Sequence, residues 1–216
     1  MSKPIISVRE AKKSQGDAEF IVEAFDSTLH YLASIGSGEQ WGSVPFSQRD
    51  GFVQETLDSI EQSETFSNTG MGRATCVFIA EVEVEVGVGG VESLLSGVRS
   101  RRDENDKLLL SVGTATVHGD WFPEYLISQV GLGVADVRDF LYVEVMVTDH
   151  RTGSFRRGAG GALMKRIKEY GLAMGKKSLY VDGLLRTFGF PNCGRVFNGA
   201  QKWIDLAGNI VEDGSV

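Results

Sequence analysis

Residues 156–162, Arg-Arg-Gly-Ala-Gly-Gly-Ala, combine two cations with a run of small residues at the start of a helical pattern. The first N–H groups of a helix have no partner within the helix, and they lie at the positive end of its dipole. Glycines let an anion approach this backbone closely, and Arg156 and Arg157 can add charge-assisted hydrogen bonds. The segment therefore predicts a seat for a pyrophosphate group.

Two common phosphate-binding motifs fit this segment poorly. A P-loop places a lysine after its glycines, where this chain has Ala162. A dinucleotide-binding turn needs a third glycine, where this chain has Leu163, and it belongs to a βαβ unit early in the fold. A nucleotide-binding protein that uses the same helix start stays open as the less favoured alternative.

The elements that must position this segment are predicted from hydrophobic periodicity. We expect strands at residues 5–9, 74–86, 108–117, 140–147 and 178–181. We also expect three helices: one that has Asp17 as its N-cap, one over residues 50–64 and one over residues 158–174. In residues 81–86 glutamates alternate with valines, which predicts one solvent-facing side. We therefore predict a single α/β (α+β) domain over residues 1–216, with a mixed, mostly antiparallel central sheet flanked by helices and a mobile insertion at residues 87–107.

With these elements in place, the chain resembles the GCN5-related N-acetyltransferase (GNAT) superfamily. Residues 155–160, Phe-Arg-Arg-Gly-Ala-Gly, are similar to the family's Gln/Arg-x-x-Gly-x-Gly/Ala turn, except that Phe155 stands at its first position. The first strand, Ile-Ser-Val-Arg-Glu-Ala at residues 6–11, and the two helices before the sheet also resemble the family's order. Leu185 occupies the place of a tyrosine that is frequent in the family, which leaves the proton donor to the departing thiolate unassigned.

The resemblance implies a GNAT-like fold and direct transfer of an acetyl group from acetyl-CoA to an amine in a ternary complex. The backbone of Val145, Met146 and Val147 would bind the pantetheine arm and polarise the thioester carbonyl, and residues 156–162 would hold the pyrophosphate. These last are Arg156, Arg157, Gly158, Ala159, Gly160, Gly161 and Ala162. A non-catalytic acyl-CoA-binding or sensing module stays open as an alternative.

Glu144 is the candidate general base under this resemblance. On an alternating strand it shares a face with Tyr142 and Met146, from which it can project into the cleft and accept an amine proton directly or through water. A glutamate with no role beyond the sheet surface is the alternative. His118 and His150, both expected in loops, are further candidates for the base.

Four aromatic residues could line the acceptor pocket or could simply pack, namely Trp41, Phe46, Trp121 and Tyr125. The acceptor itself, a small-molecule or peptide amine, is not identified by the sequence. The three histidines and two cysteines, Cys76 and Cys193, show no metal-ligand spacing, so we predict no metal.

Charge narrows the partners and the compartment. The 216 residues carry 22 Lys/Arg and 29 Asp/Glu, a net charge of −7, which argues against a nucleic-acid partner. Residues 148–180 carry +6 and the remainder −13, which favours a small polyanion at the positive segment and a cationic acceptor. With only two cysteines and no long apolar run we predict a cytoplasmic protein without a membrane partner, and a homodimer stays open.

Overall fold

A computed structural model describes residues 5–85, 97–124 and 139–181, together with two short strands at residues 203–205 and 210–211. In these residues the chain forms eight strands and three α-helices. In chain order they are β1 (Ile6–Glu10), α1 (Asp17–Ser34), α2 (Phe52–Thr69), β2 (Thr75–Val84), β3 (Ser100–Arg102), β4 (Leu108–Gly119), β5 (Phe140–Thr148), α3 (Ala159–Ala173), β6 (Ser178–Val181), β7 (Trp203–Asp205) and β8 (Ile210–Val211).

The strands form one mixed sheet in the order β1-β2-β4-β5-β6-β7-β8, and β3 pairs with the start of β4. Neighbouring strands run antiparallel except β5 and β6, which run parallel because α3 carries the chain back between them. The predicted fold class, a mixed and mostly antiparallel sheet flanked by helices, is confirmed. The strand β5, in which seven of the eight residues 140–147 are apolar, lies in the middle of the sheet.

Helices cover the two faces of the sheet with separate hydrophobic clusters. On one face α3 packs Leu163 and Ile167, both fully buried, against Phe78, Val117 and other side chains of β2, β4 and β5. On the other face α1 and α2 pack against Val77 and Ile79 of β2 and Val147 of β5. The 3.6-residue spacing of the buried side chains in α3 thus places the start of this helix beside the central strands.

The start of α1 differs from the prediction that Asp17 is its N-cap. Gly16 stands at the N-cap with a φ of +72°, a conformation that favours glycine, and Asp17 is the first helical residue. Asp17 is buried and accepts hydrogen bonds from the Lys12 backbone and the Arg9 guanidinium. The Asp17 carboxylate therefore forms an ion pair with Arg9 of the preceding strand and does not cap the helix.

The predicted solvent-facing side of residues 81–86 is wrong at Glu81. This side chain is 1% exposed, and it accepts from Arg9 of β1 at 3.0 Å and from Arg101 of β3 at 2.6 and 2.7 Å. Glu83, in contrast, is exposed as predicted. Glu81 is buried because two arginines from neighbouring strands compensate its charge.

The C-terminal part of the predicted insertion, residues 87–107, contains a strand. Ser100–Arg102 form β3 and pair with Leu108–Leu110 of β4 across a short turn, in which Asp103 accepts from the backbone of Asn105 and Lys107. Residues 87–96 of the predicted insertion lie outside the described residues. The assignment of one domain to residues 1–216 stays a prediction.

Candidate active site

A β-bulge places Glu144 at the surface of the central strand. Along the β4–β5 ladder Thr116 pairs with Val145 and Val117 pairs with Val143, so Glu144 is the extra residue on β5. Its side chain is 46% exposed, between the buried Val143 and the half-buried Val145. A carboxylate on the most central strand is thus accessible to a ligand.

The bulge also changes which residues share a face with Glu144. Leu141 and Val143 face α3, and so does Met146, whereas Tyr142, Val145 and Val147 lie on the opposite side. The prediction that Glu144 shares one face with both Tyr142 and Met146 is therefore wrong for Met146. The extra residue shifts the two-residue alternation by one position, which a regular pattern cannot anticipate.

His118 joins Glu144 to the neighbouring strands. It lies on β4, its Nε2 is 2.9 Å from Glu144 Oε2, and its Nδ1 is 3.1 Å from Thr75 Oγ1 on β2. Thr75 and His118 are cross-strand partners, and both are buried. We predicted His118 in a loop, but it is a buried strand residue. Thr75 is a site residue that the sequence did not indicate, because its position depends on the β2–β4 register.

Beyond the bulge, β5 has a backbone edge with which no other strand of the described residues pairs. Its parallel pairing with β6 covers Phe140–Val143. Residues 145–148 pair with β4 on one side, and within the described part of the chain no strand pairs with them on the other. Such an edge presents N–H and C=O groups to which an extended ligand with amide groups can add as a strand does. This edge contains Val145, Met146 and Val147, the residues predicted to bind pantetheine.

The start of α3 follows this edge along the chain and has no side-chain cap. Gly158 is the N-cap residue with a φ of +93°, and the first helical hydrogen bond runs from the Ala162 N–H to its carbonyl. The N–H groups before Ala162 therefore have no intrahelical acceptor. At Gly161 an added Cβ would meet no atom within 4 Å, so the space outside this first turn is open.

Arg156 and Arg157 stand beside this helix start, and neither forms an ion pair with a carboxylate of the described residues. Arg156 reaches Thr148 Oγ1 only at 3.5 Å, and its Nε is buried with no hydrogen-bond partner in the described residues. Arg157 is exposed, and no carboxylate of the described residues forms an ion pair with it. A buried donor without an acceptor is costly, and an anion at the helix start would supply one.

Several other cations of the positive segment form ion pairs with acids, most of which lie outside the segment. Arg151 donates to the fully buried Asp149 and to Glu23 of α1. Lys176 pairs with Asp120, and Lys177 pairs with Asp139. The net charge of +6 in residues 148–180 is therefore not concentrated at one place in the fold.

His150 is separated from Glu144 and is a poor candidate for a base. Its ring stacks on Tyr31 with centroids 4.3 Å apart. Burial, and then the nearby Arg156 cation, lower the pKa of His150 to about 4. An imidazole with so low a pKa is neutral at pH 7 and accepts protons weakly.

The aromatic residues predicted to line the acceptor pocket do not lie together in the fold. Trp121 packs edge-on against His118, with ring centroids 4.7 Å apart, and the Arg73 guanidinium lies over its other side at 4.7 Å. Trp41 and Phe46 instead pack around Phe25 between α1 and α2. Tyr125 lies outside the described residues. Trp121 is thus the aromatic residue that the structure places beside the Glu144–His118 pair.

Two searches for special sites give negative results. In the described ranges no group of three or more His, Cys, Asp or Glu side chains is arranged to hold a metal ion. None of the helices seen in the same ranges has the length and apolarity needed to cross a membrane.

No family model and no curated protein matches the chain. Among solved structures, a putative GNAT-family acetyltransferase from Desulfovibrio desulfuricans is similar at a TM-score of 0.44 and 10% identity, over 84% of this chain and 77% of the other. A GNAT-family acetyltransferase from Brucella melitensis in complex with acetyl-CoA is similar at 0.40 and 13%, over 97% of both chains. AAC(6')-Iy in complex with a CoA bisubstrate analogue is similar at 0.45 and 14%, over 89% and 95%.

Proposed function

We propose that the protein is an acetyl-CoA-dependent N-acetyltransferase. The observation that carries the proposal is one continuous arrangement along β5 and α3. An accessible carboxylate at a bulge is followed by an open strand edge, and the edge is followed by an uncapped helix start with two uncompensated arginines. A proton acceptor, a surface for an amide-containing arm and an anion seat thus lie in the order that acetyl-CoA and an amine would need.

The described residues fit the parts of acetyl-CoA one by one. The pyrophosphate would take the free N–H groups of residues 158–161 and the donors of Arg156 and Arg157. The pantetheine amides would bond to the free backbone edge of residues 145–147, next to the bulge. A backbone N–H of Met146 or Val147 would polarise the thioester carbonyl.

Glu144 would then act on the acceptor. The neutral amine nitrogen forms a bond to the thioester carbon, the C–S bond breaks, and the products are an amide and the CoA thiolate. The proton that the amine loses goes to the Glu144 carboxylate, directly or through one water, because this side chain is accessible on the strand that would hold the thioester. The proton that the thiolate gains has no donor assigned among the described residues.

The acceptor class that the site favours is a cationic amine. Glu144 supplies an accessible carboxylate, and the chain outside residues 148–180 carries −13. A carboxylate attracts ammonium groups, and the acidic surroundings raise their local concentration.

Calorimetric titration with acetyl-CoA tests the binding half of the proposal. We expect Arg157→Ala to weaken binding about tenfold, because a charge-assisted hydrogen bond contributes about 1.5–3 kcal/mol. Lys165→Ala is the matched control, since Lys165 is an exposed cation two turns further along α3 and reaches only Glu169 at 3.9 Å. Equal affinity in wild type and both variants would move the anion seat away from this turn.

Release of free CoA thiol, followed with a thiol reagent, tests the transfer half. Spermidine, a lysine-containing peptide and a peptide with a free alanine terminus serve as probe amines. We expect turnover by the wild type, and a loss of about 10²–10⁴-fold in kcat/KM for Glu144→Gln with acetyl-CoA affinity unchanged. Tight binding of acetyl-CoA without turnover on any amine would instead indicate a CoA-binding module.

A further inference from the structure

A buried histidine connects the candidate base to the body of the sheet. His118 lies between Thr75 on β2 and Glu144 on β5, at 3.1 and 2.9 Å, with exposures of 4% for His118 and 1% for Thr75. We propose that His118 is a positioning residue that holds one oxygen of the Glu144 carboxylate by a hydrogen bond. Thr75 fixes the tautomer of the His118 imidazole that donates this hydrogen bond. This inference rests on the proposed function, in which Glu144 takes the amine proton.

The chemistry of the three groups determines the direction of the hydrogen bonds. An ionised carboxylate only accepts, so His118 Nε2 must carry the hydrogen that lies between it and Glu144 Oε2. In a neutral ring Nδ1 is then an acceptor, and Thr75 Oγ1 is the donor within reach. Thr75 thus donates to His118, and His118 donates to Glu144.

The bulge explains why Glu144 needs such a partner. A half-exposed glutamate without a cross-strand partner can adopt several rotamers. The conformational entropy of these rotamers opposes a single fixed orientation of the carboxylate. The hydrogen bond from His118 engages Oε2 and leaves Oε1 for the amine proton. A base held in one orientation spends more of its time where proton transfer is productive.

The surroundings of His118 hold its ring in place. Trp121 packs edge-on against the imidazole, and the Arg73 guanidinium lies over the Trp121 ring. Tyr142 is the cross-strand neighbour of His118 on β5. Because the ring is packed and shielded, water cannot replace Thr75 as the partner of Nδ1 without disturbing this packing.

Steady-state kinetics of four variants test the proposal, with acetyl-CoA and the best of the three probe amines. We expect His118→Phe, which keeps a planar ring but donates nothing, to lower kcat about 10–30-fold, while the KM for acetyl-CoA stays within about twofold. His118→Gln, whose amide nitrogen can take the place of Nε2, should recover most of the loss. Thr75→Val should cost about three- to fivefold, and Thr75→Ser should restore most of it.

A double-mutant cycle separates positioning from a general effect on the fold. If His118 acts through the carboxylate, His118→Phe causes little further loss in a Glu144→Gln background. Equal kcat values for His118→Phe and His118→Gln, or fully additive losses with Glu144→Gln, would overturn the proposal.

Nitrogen-15 NMR of the imidazole tests the inference without any turnover. We expect the Nε2–H tautomer of His118 in the wild type near pH 7.5, and a mixture of tautomers in Thr75→Val. A dominant Nδ1–H tautomer in the wild type overturns the proposal whatever the kinetics show. A wild type that fails to turn over while His118 keeps the Nε2–H form refutes the proposed function and the catalytic purpose of the pair, but leaves its geometry established.

Discussion

Replacing Gly161 with valine should weaken the binding of an anion at the start of α3 without lowering the stability of the protein. Gly161 is exposed in the first turn of α3, and an added Cβ meets no protein atom within 4 Å. The folded protein can therefore accept the larger side chain without a clash. Since glycine is the weaker helix former, we expect Gly161→Val to leave the free energy of unfolding unchanged or to raise it by about 0.3 kcal/mol.

The same substitution should weaken acetyl-CoA binding. The valine methyl groups would fill the open space through which a pyrophosphate oxygen reaches the N–H groups of residues 158–161. Losing one charge-assisted hydrogen bond costs about 1.5–3 kcal/mol, which corresponds to a rise of about 10- to 150-fold in Kd. Calorimetric titration gives Kd, and urea unfolding followed by circular dichroism gives the stability.

Ala173→Val is the matched control, because it places the same side chain on an exposed position at the opposite end of α3. We expect its Kd to equal that of the wild type. If Gly161→Val folds as expected and also binds acetyl-CoA within about twofold of the wild type, the pyrophosphate does not lie over this turn and the reasoning fails.

Three further predictions concern the fold that carries the site. Glu81→Gln should lower the free energy of unfolding by about 3 kcal/mol, since it leaves two arginines facing a neutral group. Glu83→Gln on the exposed side of β2 should change the free energy of unfolding by less than about 1 kcal/mol. Urea unfolding measures both variants, and equal effects would refute the prediction. Because the folded-state pKa of His150, about 4, lies below its ordinary value of 6.5, the unfolded chain binds the proton more readily between these values, so stability is lost as the pH falls through this window. His150→Phe, which keeps a ring to stack on α1 but does not titrate, should lose less stability between pH 7 and pH 4.5, and an identical loss would contradict the assignment. Leu163→Ala should destabilise the protein by about 2–5 kcal/mol through a cavity between α3 and the sheet. Leu172→Ala, on the exposed side of the same helix, should cost less than about 0.5 kcal/mol. Similar unfolding midpoints for the two variants would refute the packing described.

Local patterns predicted the elements whose stability comes from local spacing. The four- and three-residue steps of apolar side chains in residues 159–174 predicted α3 to within one residue at each end, because one buried stripe determines both its position and its orientation. The apolar residues of the segment 140–147 predicted β5 in the same way.

Features that depend on pairing between distant strands could not be predicted. The bulge at Glu144 exists only in relation to β4, and it both exposes the carboxylate and reverses the facing of Met146. Thr75 and His118 are 43 residues apart and become neighbours only through the β2–β4 register. Glu81 is buried against arginines of two other strands, although its own strand alternates as an exposed one does.

The same dependence on tertiary pairing decides which cations can bind an anion. Arg151 is held by a buried aspartate and by a glutamate of α1, so binding a phosphate there would first require breaking charge-assisted bonds that the fold already has. Arg156 has a buried donor with no partner in the described residues, and Arg157 has no described carboxylate beside it. For Arg156 a phosphate would supply an acceptor to a donor that has none, and for Arg157 it would replace water, so binding at these two arginines breaks no ion pair of the described residues. The anion seat is therefore predicted where such cations lie beside the open start of α3, as Arg156 and Arg157 do.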